Sequence, residues 1–296
     1  MGTERLVERI AELSRPLAPL VTGAEMRPLR CGPMRAVLFD IYGTLFISGS
    51  GDVGTAAAGN TAEAAREALI ATGLSTPENA PDGGEVVALY EAAVRDSHRQ
   101  YMAEHPTVQS PEVEIRDVWQ EVLKSLALAV CANTVERLAV EYECRVNPVW
   151  PMPHAKAAIR AIRNGGLALG IVSNSQFYTP LLFPALLGGT VAGLGFDDDL
   201  SAWSYRLLEA KPSPRLFEQA LEGLQRKHAI RPDETLYVGN DMRNDVWTAS
   251  QAGCRTALFA GDQRSLRWRR DDPRCTDLHP DATLTDLSQL APQLAL

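Results

Sequence analysis

The sequence predicts an α/β fold in which a doubly wound parallel sheet carries a helical insertion after its first strand. Two observations predict the sheet. Short apolar runs alternate with helical patterns in the second half of the chain, and several of these runs end in polar residues. A third observation predicts the insertion, because the pattern between 61 and 145 is helical throughout and contains no strand signal.

The first predicted elements lie before the insertion. Apolar residues at helical spacing predict a short amphipathic helix over 3–13, and a Pro-containing connector follows over 15–33. The apolar run at 36–39 is too short for a helix and is followed directly by Asp40, which predicts a buried strand. The stretch 47–60 is rich in Gly, Ser and Ala, and we therefore expect a loop there.

The remaining elements separate an insertion from a core. Helices separated by Gly and Pro are predicted in the insertion at 61–72, 84–104, 111–129 and 133–145. Helices of the second half are predicted at 154–164, 176–187, 214–228 and 244–252. Strands are predicted there at 167–172, 235–238 and 255–259, with a last one from 283. The predicted units are an N-terminal extension (1–33), a core (34–46 plus 148–296) and a helical insertion (47–147).

Composition excludes several classes of function. The chain of 296 residues is 45% hydrophobic and 22% charged, as is typical of a globular protein. Its net charge of −8 argues against nucleic-acid and anionic-membrane binding, since both require a basic face. No window approaches the ~20 apolar residues of a membrane span, and the charged N-terminus differs from a secretory signal. We therefore expect a cytoplasmic protein that acts on a small molecule, while its oligomeric state is not predicted.

Polar residues follow three of the predicted strands. The carboxyl ends of parallel strands form the ligand-binding edge of such a sheet, and the residues there are Asp40, Ser173, Asn174, Asn240 and Asp241. Asp245 follows shortly afterwards, and Lys211 lies at a loop-to-helix junction. Together they offer a nucleophilic carboxylate, a hydroxyl donor, a cation and carboxylates for a hard metal. This set is typical of phosphoryl transfer, in which an aspartate attacks while cations offset the phosphoryl charge.

Four segments resemble the motifs of the haloacid dehalogenase superfamily, whose members are mostly phosphatases. The segments occur in the order of that superfamily and lie at 39–45, 171–174, 211–214 and 239–245. The first, FDIYGTL, is similar to the superfamily's DxDGT motif. The resemblance covers 34–296, and it implies a Rossmann-like core with a helical cap at 47–147.

The resemblance implies a role for each matching residue. Asp40 would be the nucleophile that forms an aspartyl intermediate. Ser173 and Lys211 would hold the transferring group, and Thr44 and Asn174 would contact the substrate. Mg²⁺, which prefers oxygen ligands and retains several waters, would be bound by Asp40, the backbone carbonyl of Tyr42, Asp241 and Asp245.

Tyr42 departs from the phosphatase pattern. Phosphatases of the superfamily carry a second Asp at this position, which protonates the leaving group and then activates water. Acid–base catalysis of this kind contributes ~10²–10⁴-fold, and a tyrosine with a pKa near ~10 does not easily replace it. The DxYGTL pattern instead resembles the haloalkanoate dehalogenase branch, in which Asp displaces halide without a metal. Asp52 is a candidate surrogate acid, although a solvated loop residue is the simpler interpretation.

The fourth motif favours the phosphatases over the dehalogenase branch. The dehalogenase branch lacks the acids of this motif, whereas this chain has Asp241 and Asp245. Asn240 stands where many members have an acid, so the register of the metal site stays open. The leading hypothesis is Mg²⁺-dependent hydrolysis of a small phosphomonoester. The alternatives are dehalogenation by attack of Asp40 on carbon, and a weakly active or inactive ligand-binding protein.

A basic cluster near the C-terminus lies outside these motifs. Its members are Arg264, Arg267, Trp268, Arg269 and Arg270. Acidic residues flank the cluster on both sides, and this favours a solvated loop over a surface for RNA or an acidic partner.

Overall fold

A six-stranded parallel sheet forms the centre of the fold in the computed structural model, which describes residues 2–30, 32–51 and 58–296 (58–60 by backbone alone). The strands are β1 (Ala36–Phe39), β2 (Phe46–Ser48), β3 (Val149–Pro151), β4 (Ala168–Ser173), β5 (Ser201–Trp203), β6 (Thr235–Gly239), β7 (Arg255–Phe259) and β8 (Ala282–Leu284). The large sheet has the order β5-β4-β1-β6-β7-β8, and every neighbouring pair in it is parallel. The predicted α/β class is therefore confirmed.

Helices cover the sheet, and four of those that the structure describes lie between β2 and β3 along the chain. The α-helices are α1 (Thr3–Leu13), α2 (Ala58–Ala71), α3 (Gly83–Glu104), α4 (Ile115–Ser125), α5 (Ala132–Val146), α6 (Ala155–Asn164), α7 (Val191–Leu194), α8 (Ser204–Leu207), α9 (Arg215–His228), α10 (Thr248–Gln251) and α11 (Leu290–Gln293). Along the described ranges, none of them combines the length and apolar character needed to cross a bilayer.

The predicted helix at 176–187 is wrong in type. The segment forms a 3₁₀ turn at Thr179–Leu181 and a π-helical turn at Phe183–Leu187. Pro180 and Pro184 lie within it, and each lacks the N–H that an α-helix needs. The predicted helix at 244–252 likewise divides into a π-helical turn and α10.

Short strands escaped prediction. The predicted loop at 47–60 is wrong at its start, because β2 pairs antiparallel with β3 and places Ser48 opposite Val149. β5 was also missed, although it pairs with β4 at the edge of the large sheet. Three residues are too few to show a period of two, and only the partner strand makes them recognisable.

Strand β1 fixes the position of Asp40. Its four residues are fully buried, since it lies between β4 and β6 with helices on both faces. Phe39 lies opposite Ile171 and Val238, so the three strands end side by side. The Asp40 backbone N–H donates to the Val238 carbonyl at 2.9 Å. This register places Asp40 at the carboxyl edge of the sheet.

The helical insertion has aromatic packing of its own. The ring centroid of Tyr90 lies 5.2 Å from that of Trp119 and 5.4 Å from that of Tyr142. Trp119 and Tyr142 are 5.1 Å apart and meet edge to face, a favourable aromatic geometry. The division of the chain into insertion and core stays a prediction.

The N-terminal segment crosses the molecule. Helix α1 packs on α5 of the insertion and on the turns that follow β4. The chain then continues to the far edge of the sheet, where Arg27 and Thr283 form an antiparallel bridge. We call residues 3–30 the N-terminal strap.

Candidate active site

Asp40 has one carboxylate oxygen held by two side chains. Its Oδ1 accepts hydrogen bonds from Ser173 Oγ at 3.0 Å and from Lys211 Nζ at 2.8 Å. Its Oδ2 accepts no hydrogen bond from the part of the chain that the structure describes. Asp40 is 7% exposed. The arrangement orients the carboxylate and leaves one oxygen for attack on a substrate.

Lys211 connects the first motif to the fourth. Its Nζ lies 2.6 Å from Asp245 Oδ1, in addition to its contact with Asp40. It also contacts the Tyr237 hydroxyl at 2.9 Å and the Val172 carbonyl at 3.2 Å. Burial alone would lower the pKa of Lys211, but the two carboxylates reverse this and raise it above its usual value. Lys211 is therefore a fixed cation at neutral pH.

Asp245 is surrounded by donors. Its Oδ1 accepts from Lys211 Nζ and from the Tyr237 hydroxyl, the latter at 3.0 Å. Its Oδ2 accepts the backbone N–H groups of Asn240 and Asp241, each at 2.9 Å. A Cβ on Gly239 would lie 2.4 Å from Asp245 Cγ, so glycine permits this approach. Asp245 therefore stabilises both Lys211 and the loop after β6.

Asp241 forms an ion pair with Arg269. Arg269 Nη2 donates to Oδ2 at 2.6 Å, and Nε donates to the same oxygen at 3.0 Å. Asp241 Oδ1 also accepts the backbone N–H groups of Arg243 and Asn244, at 2.8 and 3.1 Å, and so caps the π-helical turn. Both oxygens of Asp241 thus have donors from the protein.

Tyr42 is buried and does not supply a proton readily. Its hydroxyl lies 2.9 Å from Thr179 Oγ1. Burial, together with the negative charge of Glu143 on α5, raises the pKa of Tyr42 well above its usual value. The prediction that tyrosine does not act as a base at neutral pH is consistent with this environment.

Burial also perturbs Asp40. Loss of solvation raises the pKa of Asp40 to about 7, and the negative charge of Asp245 adds to the shift. The positive charge of Lys211 opposes it. A carboxyl group with a perturbed pKa beside a buried cation is a candidate functional group.

A small polar cavity of about 30 Å³ unites the motifs. Its lining residues are Asp40, Tyr42, Asn174, Lys211, Asn240, Asp241, Asn244, Asp245 and Arg267. Two further predicted site residues contact the lining residues without lining the cavity themselves. Ser173 donates to Asp40, and Thr44 Oγ1 donates to Asn240 Oδ1 at 3.2 Å. The structure therefore brings all the predicted site residues together, while their roles stay predictions.

The interpretation of the basic cluster as a solvated loop is wrong for two of its members. Arg269 pairs with Asp241, and Arg267 lines the cavity. The loop that contains them packs on the first motif, because a Cβ on Gly43 (φ 80°) would lie 2.3 Å from Ser265 Cβ. One signal was present in the sequence, since the cluster follows β7 at the edge of the sheet where ligands bind. Tyr237 was also missed, because a tyrosine within an apolar strand resembles a core residue.

Family comparison agrees with this geometry. The model of the haloacid dehalogenase-like hydrolases matches residues 34–253. The chain belongs to this family. No curated protein matches the chain.

Several solved structures are similar to this chain. A 2-haloacid dehalogenase from Pseudomonas syringae pv. Tomato DC3000 is 21% identical, with 88% of this chain and 98% of that chain covered and a TM-score of 0.54. A defluorinating L-2-haloacid dehalogenase is 18% identical, with 95% and 100% covered and a TM-score of 0.50. A phosphatase of the family from Thermococcus onnurineus is 18% identical, with 88% and 98% covered and a TM-score of 0.46.

The predicted Mg²⁺ ligands do not fit a divalent cation in their observed contacts. Asp245 is occupied by Lys211, Tyr237 and two backbone N–H groups, and Asp241 is occupied by Arg269. Within the described ranges, no group of three or more His, Cys, Asp or Glu side chains is arranged to hold a metal. The Mg²⁺ prediction therefore stays a prediction that these contacts do not favour. Asp52, the candidate surrogate acid, lies outside the described residues.

Proposed function

We propose that this family member hydrolyses a small halogenated organic acid through an ester intermediate on Asp40, without a divalent metal. One observation carries the proposal. Lys211 already supplies the positive charge beside Asp40, at 2.8 Å, and the carboxylates expected to hold Mg²⁺ already have protein donors. The free Oδ2 of Asp40 is the attacking atom.

The proposed reaction has two steps that balance. In the first, Asp40 Oδ2 forms a bond to the halogen-bearing carbon while the carbon–halogen bond breaks and the halide leaves with its electron pair. In the second, water hydrolyses the ester. This releases a hydroxy acid, regenerates the Asp40 carboxylate and yields a proton to solvent. Lys211 and Ser173 keep the carboxylate oriented through its other oxygen.

The needs of the leaving group favour a halogenated substrate over a phosphate ester. A halide departs without protonation, whereas the alkoxide of a phosphomonoester benefits from a general acid. Tyr42 occupies the position of that acid, and its hydroxyl is buried beside Thr179. The chemistry that needs no acid at this position therefore suits the site better.

A second candidate is the Mg²⁺-dependent hydrolysis of a small phosphomonoester through an aspartyl-phosphate on Asp40. One contact favours it. Asp241 lines the same cavity as Asp40, and its partner Arg269 keeps 31% of its side chain exposed, so a competing cation has access to the pair. In this candidate Mg²⁺ would stabilise charge on the phosphoryl oxygens.

The test measures halide and phosphate release side by side. The substrates are short 2-halogenated acids and an aryl phosphate, each with Mg²⁺ and with a chelator. Halide release that the chelator leaves unchanged is the expected result. Phosphate release that requires Mg²⁺, without halide release, would establish the second candidate. Absence of both, with stabilisation by a bound acid, would favour a binding protein.

The nucleophile is tested by Asp40→Asn. The amide keeps the volume of the side chain but is a far weaker nucleophile, so we expect turnover to fall to background. Asp198→Asn is the control, since that carboxylate is 82% exposed and does not line the cavity. A folded Asp40→Asn protein that retained turnover would exclude the assignment.

A further inference from the structure

Arg269 pairs with Asp241, one of the residues that the resemblance implies as metal ligands. Its guanidinium makes three contacts with Asp241 at 3.2 Å or less, using both carboxylate oxygens. A planar guanidinium matches a carboxylate in this two-pronged manner, which makes the pair stronger than a single contact. Asp241 keeps only 7% of its side chain exposed and Arg269 keeps 31%, so the carboxylate is largely shielded from solvent while the guanidinium is half-buried.

The backbone holds Arg269 in this position. The Arg267 N–H donates to the Asn240 carbonyl at 3.0 Å, and the Met242 N–H donates to the Arg267 carbonyl at 2.9 Å. These bonds join the loop after β7 directly to the segment that carries Asp241. Arg269 has a φ of 50°, a left-handed conformation that is uncommon outside glycine and persists where the surroundings enforce it. The backbone of the loop that carries Arg269 and that of the segment that carries Asp241 therefore together hold the Arg269–Asp241 contact in place.

The charges around the cavity are nearly balanced by the protein itself. Three carboxylates approach it, those of Asp40, Asp241 and Asp245. Lys211 and Arg269 pair with them, and a third cation, Arg267, also lines the cavity. Clustered carboxylates repel one another unless cations lie between them. A bound Mg²⁺ would perform that task in a metal-dependent site.

We propose that Arg269 is a built-in cation that takes the place of a divalent metal on Asp241 and excludes Mg²⁺ from the site. The inference goes beyond the proposed reaction, since it concerns which cation the site accepts. It shares with that proposal the assignment of Asp40 to the site. Its test measures metal binding without substrate, so the two proposals fail separately.

The experiment titrates the folded full-length protein with Mg²⁺ and with Mn²⁺ by calorimetry and by thermal shift. Arg269→Gln removes the charge and leaves Asp241 available. We expect its affinity for both ions to exceed that of the wild type by about tenfold, the factor that corresponds to losing a competing interaction of ~1.4 kcal/mol. Arg269→Gln combined with Asp241→Asn should return the affinity to the wild-type level.

Arg270→Gln is the matched control. It removes the neighbouring positive charge, and Arg270 has no carboxylate partner within the described parts of the chain and lies beside the Trp268 ring. We expect no change in metal affinity, because the general loss of a nearby charge should not open the site. An equal gain in this control would overturn the inference.

A conservative variant, Arg269→Lys, tests the inference in case Arg269→Gln does not fold. Arg269→Lys keeps the positive charge but loses the two-pronged contact, so we expect an intermediate gain in Mn²⁺ affinity. The inference is wrong if folded Arg269→Gln binds neither ion more tightly than the wild type. If only Arg269→Lys folds, an affinity equal to that of the wild type has the same consequence.

Discussion

Lys211 and Asp40 depend on each other at the scale of single residues. The sequence separates them by 171 positions, yet their charged atoms lie 2.8 Å apart in a buried site. A buried ion pair of this kind is costly to break from one side, because the remaining charge is then left without compensation. Burial raises the pKa of Asp40, and the pair with Lys211 limits this rise.

We expect turnover to rise with pH through about 7, where the buried Asp40 carboxyl loses its proton and becomes nucleophilic. Lys211→Met should move this rise to higher pH, because the positive charge of Lys211 lowers the pKa of Asp40. The measurement is the pH profile of kcat/KM for both proteins. A profile that stays at the same pH in Lys211→Met would exclude electrostatic control by this lysine.

The same group affects stability in the opposite direction. The pKa of Asp40 in the fold, about 7, lies above the ~3.9 of an unfolded aspartate, so the folded state binds the proton more tightly. This contribution favours folding at low pH and is lost as pH rises from about 4 to about 7. Asp40→Asn should remove it from denaturant-unfolding curves measured across that range.

Tyr42→Phe tests whether the tyrosine hydroxyl takes part in the reaction. We expect halide release close to that of the wild type, because a halide needs no proton from Tyr42. The free energy of unfolding should fall by about 1 kcal/mol, since the hydroxyl loses its contact with Thr179. A large fall in kcat in a folded variant would assign Tyr42 a chemical role.

At the scale of elements, the N-terminal strap is held by a buried carboxylate. Glu141 on α5 has a fully buried side chain and contacts Arg9 of α1 at 2.6 Å and Arg145 at 2.5 Å. The sequence predicts α1 as amphipathic, and its buried residues are Leu6 and Ile10. The sequence does not show which surface these two residues cover. In the structure, α1 packs on α5 and on the turns after β4.

Glu141→Gln should destabilise the protein by about 1–3 kcal/mol, because Arg9, Arg145 and the more distant Arg137 then face a neutral amide. Glu91→Gln is the control, since the pair of Glu91 with Arg95 is exposed on both sides and should contribute well under ~1 kcal/mol. Both values come from urea unfolding. Equal effects of the two substitutions would show that the strap contact adds no stability.

At the scale of the whole molecule, the N-terminal strap reaches the wall of the candidate site. The Leu20 N–H donates to Asp262 Oδ1 at 3.0 Å, and the Gln263 N–H donates to the Leu20 carbonyl at 3.0 Å. The same loop continues to Arg267, which lines the cavity, and to Arg269, which pairs with Asp241. Residues outside the family match thus stabilise a loop that lines the site.

Two truncations separate the parts of the strap. Removal of 1–14 should lower the Tm through loss of α1, while the loop at 260–264 keeps its hydrogen-exchange protection. Removal of 1–30 should in addition expose the Gln263 amide, because its bond to the Leu20 carbonyl is lost together with the neighbouring bonds from residues 18–22. Equal protection of this loop in both truncated proteins would contradict the role of the strap.

Local sequence determined much of this protein. The fully buried run 36–39, the polar residue after it and the alternation of strands and helices predicted the sheet and placed Asp40 at its edge. The sequence also predicted most of the residues that meet in the cavity, since strand ends converge in any parallel sheet, but it did not predict Asn244 or Arg267 there. The four helices of the insertion were recognised because each is long enough to show its period.

Tertiary structure decided which partner each charged group takes. The Lys211–Asp245 and Arg269–Asp241 pairs join residues 34 and 28 positions apart, and no periodic pattern connects them. Their contacts depend on the path of two loops, which backbone bonds between Asn240 and Arg267 set. Sequence motifs therefore predict that carboxylates gather at this edge. Only the folded chain shows that Lys211 pairs with both Asp40 and Asp245 and that Arg269 lies beside Asp241, because charge pairing follows distance in space and not order along the chain.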